Sequence, residues 1–254
     1  MKQLSLNEDI LRVKVEKQVK VRNILVDIPL KYRGRAITAL FPISTKKALE
    51  AINCSKIYPA EISFNKCLLN ITLFDYYNTP VGPYAELALS IPVFYNQFIN
   101  IPLFPLLLNN FFKNFGFFIV TIAQNTDIAI EHGNVITGYP HYEKVIDVKF
   151  KSDGEYINTE AYEDNKEILK LKINKPQKEK LQDKSYTTYF KKGDSLSQIT
   201  MDTSTIMGRP KSCDLKLGNH ELSERIRQFD ISYNPIEVQY FSDAIEILNY
   251  PSLL

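Results

Sequence analysis

Glu86, Arg35 and His141 are the side chains on which chemistry in this sequence would rest. Glu86 is the only charged residue in the strand-like run YAELALSIPV, residues 84–93. A lone carboxylate there either faces water on an open sheet or points into a polar-lipped cavity. Arg35 stands in YRGRAITALFPI, ahead of another apolar run, and His141 directly follows the proline of GNVITGYPHYEKV, residues 133–145. Imidazole titrates near neutrality, so a histidine at a cavity can serve as a general acid or base. Each also has a plainer reading. On local sequence alone Glu86 and Arg35 are surface charges, and His141 makes a local hydrogen bond.

Other chemistries lack their signatures. There is no GxGxxG, P-loop or GxSxG, so neither a nucleotide cradle nor a serine elbow is supported. His132, His141 and His220 match no metal-ligand spacing, and no metal or cofactor is expected. Cys67, inside an apolar run, reads as a buried small hydrophobe. Cys54, Cys67 and Cys213 form no CxxC pair or disulfide framework, which points to a reducing, cytoplasmic setting. The charged N-terminus MKQLSLNEDILRVKVEK lacks the apolar core of a signal peptide. With 31 basic against 29 acidic residues, net charge +2, nothing argues for nucleic acid or an anionic membrane as partner. Prolines, asparagines and Lys113 interrupt the apolar residues 90–120, so no membrane span is expected there. Burial of the insertion 96–116 in the core or in an oligomer is the expectation.

The elements that must position these residues are mostly strands. Runs of β-branched and aromatic residues bounded by turn formers predict strands over 66–77, 82–95, 117–133, 144–150, 167–173 and 185–190. In 82–95, Ala85, Leu87, Leu89 and Ile91 share one face, and Tyr84, Glu86, Ala88 and Ser90 the other. Short helices are predicted over 44–52, capped by Ser44 or Thr45, and near the end, where Asn219 is the cap candidate and Leu222, Ile226 and Phe229 then share a face. The lysine-rich residues 173–185 read as an exposed loop. With 254 residues and no repeat, a single domain spanning 1–254 is expected.

In order, YAELALSIPV, IAIEHGNVITGYPHY and the closing LKLGNHELSERIRQFDISYNPIEVQYFSDAIEILNYP resemble the acetoacetate decarboxylase family. The match runs from about residue 30 to the end, with extra length between Val93 and Phe117. It implies a mainly β fold, an antiparallel β-barrel enclosing an apolar cavity, with a few short helices and homo-oligomeric assembly. By position, Arg35 would meet the substrate carboxylate and Glu86 would lie near the reacting carbon, with Tyr84 and Tyr142 in the binding site. His141 falls where the family has its Schiff-base lysine, and Tyr142 where it has a second lysine. A further family glutamate falls near Asn70 or Ile71, and so is absent. Imidazole has no primary amine and cannot form the iminium that accepts electrons in that chemistry. Lys144 is three residues from His141, so in a regular strand it points the other way. Only a bulge would turn it inward as an alternative Schiff base.

The resulting expectation is a protein that binds a small or medium carboxylate or keto compound. Lyase, hydratase or isomerase-type proton chemistry would run through His141 and Glu86. A non-catalytic binding protein, and a decarboxylase using Lys144, stand beside it.

Overall fold

The computed structural model describes residues 4–97 and 114–254, so most of the apolar insertion 96–116, and the burial expected for it, lies outside the described residues. A hairpin of β1 (Lys17–Val21) and β2 (Ile24–Ile28) leads into the long β3 (Leu30–Ser44). Helix α1 (Thr45–Ile52) starts where the sequence places it, because Ser44 Oγ accepts from the Lys47 N–H at 3.4 Å. Strands β4 (Ile57–Pro59), β5 (Lys66–Asn78), β6 (Tyr84–Tyr95) and β7 (Phe115–Gln124) follow. Helix α2 (Asp127–His132) then runs into one π-helical turn, Gly133–Thr137. Strands β8 (Asp147–Asp153), β9 (Tyr156–Glu163), β10 (Lys166–Asn174), β11 (Glu179–Lys192), β12 (Ser195–Gly208) and β13 (Cys213–Leu217) come next. Helix α3 (Glu221–Arg227), β14 (Glu237–Leu248) and β15 (Ser252–Leu253) close the chain. No helix among the described residues is long and apolar enough to cross a membrane.

Seven strands form a barrel in the order β11-β7-β6-β5-β3-β14-β12, closed where β12 pairs back onto β11. Every pairing in it is antiparallel except β7 with β11, which run parallel through Phe117–Thr188 and Phe118–Tyr189. A second antiparallel sheet, β13-β10-β9-β8, lies outside the barrel. Its Ile157, Ala161, Leu171 and Ile173 join Leu69, Ile71, Leu87, Leu89 and Ile91 of the barrel's outer face in one core. Helices α1 and α3 cover the same core through Ala48, Ile52, Leu222 and Ile226. Strand alternation thus sends one set of β5 and β6 side chains into this layer and the other into the barrel.

Three sequence expectations give way. Residues 117–133 are not one strand. Thr126 Oγ1 accepts from the Ala129 N–H at 3.3 Å and caps α2, so a local side-chain hydrogen bond overrides the apolar run. The lysine-rich residues 173–185 are only partly loop, because β11 starts at Glu179 and pairs with β12 along its whole length. The cap of α3 is His220 rather than Asn219, its Nδ1 accepting from the Leu222 N–H at 3.1 Å.

The turn between α2 and β8 explains why glycine and histidine flank Tyr139–Pro140. Gly138 ends the π-helical turn at φ +69°, a conformation side chains with a Cβ rarely adopt, and its N–H donates to Gly133 O at 2.8 Å. Gly133 has ordinary helical angles, and its requirement is space instead. A Cβ there would fall 2.2 Å from His141 Nε2. The imidazole lies over Gly133, with its Nδ1 2.7 Å from Tyr139 O. A parallel bridge between His141 and Ile122 holds this segment against β7. Replacing Gly133 by alanine is therefore expected to cost about 1–3 kcal/mol of folding stability. In a His141→Ala background the same change should cost clearly less, since the clash has gone. Urea unfolding of the four proteins in this cycle measures it, and equal costs in both backgrounds would show that the contact is not the constraint.

Candidate functional site

The barrel encloses a cavity of about 200 Å³. Its wall is mainly apolar, with polar side chains set into it. Phe74, Phe117, Ile119, Phe241 and Leu248 alternate with Thr38, Asn70, Thr72, Ser90, Thr203 and Thr205. Two carboxyl groups line it, Glu86 from β6 and Glu246 from β14. Glu86 is on the inward face with Ala88 and Ser90, which is the face its alternation predicts. It is 7% exposed and accepts from Gln124 Nε2 at 3.0 Å. Glu246, 9% exposed, accepts from the Tyr76 hydroxyl at 3.0 Å.

Burial controls the protonation of both. Taking a carboxylate out of water penalises the charged form, and here one amide or one phenol is too little to offset it. Glu86 is pushed up to about 8 by burial, against the Gln124 hydrogen bond and with a further push from Glu246. Glu246 is pushed up to about 7 by burial, against the Tyr76 hydrogen bond. At neutral pH the cavity therefore holds one carboxylic acid and one group divided between acid and carboxylate. Tyr32, Tyr76 and Tyr84 pack around them, with ring centroids 5.3 Å apart for Tyr32–Tyr76 and for Tyr76–Tyr84. Burial raises all three phenols well above their usual range, so they remain neutral hydrogen-bonding groups. The Tyr139 hydroxyl also reaches the wall and meets Thr188 Oγ1 at 2.6 Å.

The other residues singled out in the sequence do not converge on this point. His141 is not among the cavity-lining residues. Its ring rests on Gly133, and burial lowers its pKa. Arg35 contributes to the wall, but its side chain is on the face opposite Ala36 and Thr38. There Nε and Nη2 bond Asp75 Oδ2 at 2.8 and 2.7 Å, and the guanidinium lies over the Phe150 ring. Tyr84 sits with Tyr32 and Tyr76. Tyr142 points away from the barrel, its hydroxyl against Glu163 and Glu221. Lys144 is at the surface, 2.9 Å from Glu163 Oε1. Hydrogen bonding to Glu163 raises its pKa and keeps it a charged ammonium.

Glu246 and Gln124 are the contributors that sequence reading missed. The only local sign of Glu246 is its place in SDAIEILNY, a single carboxylate between isoleucines.

A second polar cluster lies outside the barrel, where Glu163, His220 and Glu221 bring ligand-type atoms within 4.8 Å of one another. It is satisfied internally. Because His220 Nδ1 accepts from a backbone N–H, its proton is on Nε2, which donates to Glu163 at 2.8 Å. Burial opposes ionisation of Glu163, but Tyr142, Lys144 and His220 outweigh it and hold the carboxylate at about 2. This cluster joins the segment after Pro140 to β9 and α3.

No protein-family model matches the sequence, and no curated protein matches it. Solved structures do. A structure of acetoacetate decarboxylase aligns over 89% of each chain with TM-score 0.67 at 13% identity. The acetoacetate decarboxylase of Legionella pneumophila aligns over 100% of this chain and 98% of its own, with TM-score 0.66 at 14% identity. The enduracididine biosynthesis enzyme MppR in complex with pyruvate aligns over 89% of this chain and 90% of its own, with TM-score 0.57 at 9% identity. Seven strands closed around a cavity, with a second sheet outside them, give this chain the acetoacetate decarboxylase-like fold.

Proposed function

We propose that the protein binds a small or medium carbonyl- or carboxyl-bearing compound inside the barrel and moves protons on it through Glu86 and Glu246. One observation carries the reading: Glu86 is a carboxyl group facing the cavity that burial holds as the neutral acid at neutral pH. A neutral carboxyl can donate to a ligand oxygen. A carbonyl oxygen that takes this hydrogen bond gains acidity at its α-carbon, and Glu246, partly ionised, can accept the α-proton. The proton lost from carbon goes to Glu246 and the proton gained by oxygen comes from Glu86, so the product is the enol. His141 acts here as a positioning residue, fixing the turn that carries Tyr139 to the wall. The pyruvate complex of MppR makes pyruvate the natural first probe.

A pure binding protein uses the same cavity without turnover, and it is favoured by the absence of His141 from the wall. Deuterium exchange separates the two. In D₂O the protein is expected to exchange the methyl protons of pyruvate, followed by NMR, and Glu86→Gln and Glu246→Gln should each stop it. Saturable binding with no exchange would leave the binding protein. Affinity for pyruvate should be steady well below pH 7, begin to fall near pH 7 as Glu246 ionises beside the anion, and fall more steeply above pH 8, where binding must also re-protonate Glu86. In Glu86→Gln the step near pH 8 should vanish, because an amide donates at any pH. Borohydride reduction with acetoacetate, mapped by peptide mass, is expected to give no adduct at Lys144. A stable adduct there would restore the amine route.

A further inference from the structure

Aromatic rings make up much of the apolar wall. Six of them line the cavity: Phe74, Tyr76, Phe117, Tyr139, Tyr186 and Phe241. Between two of these rings the wall is indented. Ala36 on β3 is the register partner of Phe74 on β5 and of Phe241 on β14, and all three line the cavity. Phe74 is in turn the register partner of Glu86. Its ring is held in place, stacked on Tyr76 at 5.1 Å and 11°, while the Tyr76 hydroxyl is bonded to Glu246. The recess over Ala36 is thus two strand spacings from Glu86, roughly 10 Å between backbones. The polar side chains nearest to it are engaged with the wall itself. Thr38 and Thr72 bond each other, and Thr203 and Thr205 donate to carbonyls of β11. Asn70 and Ser90 pair four residues beyond Phe74 and Glu86, roughly 13 Å along the strands. Tyr186 carries its hydroxyl on β11, three strands from β3.

Volume points the same way. A cavity of about 150 Å³ with aliphatic and aromatic walls is enough to hold benzene. The barrel's cavity of about 200 Å³ has room for a ring of that size together with a carbonyl or carboxyl head. Pyruvate has nothing to place in the recess. Aromatic rings that meet offset or edge to face attract one another beyond the burial of their area. We infer that the ligand carries an aromatic ring on a short chain from its carbonyl or carboxyl group, and that the ring occupies the recess over Ala36 between Phe74 and Phe241. This rests on the proposed use of the barrel as a ligand site. With the head at Glu86, the glutamate side chain and a two-carbon linker together cover the distance to the recess. An alkyl body would fill the same space but leave the flanking rings without an aromatic partner.

The test is isothermal titration at pH 6 with 3-phenylpropanoate, 3-cyclohexylpropanoate and pyruvate. The two ring acids share one carbon skeleton, and burial of apolar area alone favours the cyclohexyl acid, which has the larger surface. The phenyl acid is nevertheless expected to bind more tightly by about fivefold or more, because each aromatic pair contributes a factor of roughly two to ten. Phe241→Leu keeps an apolar side chain but removes one ring, and should lower that ratio by about twofold or more. Ala36→Leu fills the recess and should weaken 3-phenylpropanoate by about tenfold or more. The ratio in the unaltered protein decides the matter even where a variant fails to fold. If the cyclohexyl acid binds as tightly as the phenyl acid, if the ratio is unchanged in a folded Phe241→Leu, or if pyruvate binds and neither ring acid does, the inference fails while the barrel remains a ligand site. If none of the three binds, the ligand-site reading falls together with the inference.

Discussion

Two residue pairs, Phe117 with Thr188 and Phe118 with Tyr189, join strands that run in the same direction and turn an open sheet into a closed one. Everything described inside the barrel depends on that junction. An open sheet would leave the edges of β7 and β11 unpaired and would give the inner residues a watery side. Once closed, the sheet has an inner face that must be filled by its own side chains or kept as a cavity. Here large aromatic residues fill part of it, while threonine, serine and alanine leave the remainder as space.

The same closure explains why chemically identical groups behave differently in two parts of the molecule. Glu86 and Glu163 are glutamates of nearly equal exposure, 7% and 8%. Inside the barrel Glu86 has one amide donor and keeps its proton. In the outer layer Glu163 has a phenol, an ammonium and an imidazole N–H around it and is firmly ionised. Glu86 lies deep in the barrel and carries the larger penalty for charge, whereas Glu163 lies in the outer layer near the surface, where three donors outweigh a smaller one. Proton-transfer capacity therefore concentrates in the barrel, while the outer carboxylate serves as a fixed anchor for neighbouring elements.

Much of this architecture is legible in the sequence. The two-faced alternation of residues 84–91 is visible because a strand wall between two packed spaces must place a different set on each side, and Glu86 stands out as the one charge in it. The cap at Ser44 and the apolar face of α3 follow from short-range rules. What is not legible depends on long-range pairing. Glu246 joins the site only because β14 lies beside β3 and β12, and nothing in SDAIEILNY specifies that neighbourhood. The direction of the Arg35 side chain is likewise fixed by Asp75 and Phe150, forty and more residues away. Helix α2 was hidden because an apolar run of its length satisfies either periodicity, and a single threonine cap decides between them.

Strand β6 is buried on both faces along all but its last residue. It is a party wall between the cavity and the outer core, with no position turned to solvent. A residue enlarged on the cavity side shifts a backbone that the outer layer also packs against, and the reverse holds equally. The size of the binding space and the fit of the second sheet are consequently not independent traits. A lineage of such proteins could change its ligand through β6 only by repacking the outer layer with it, and change that left the outer layer alone would have to come through the opposite wall, β12 and β14.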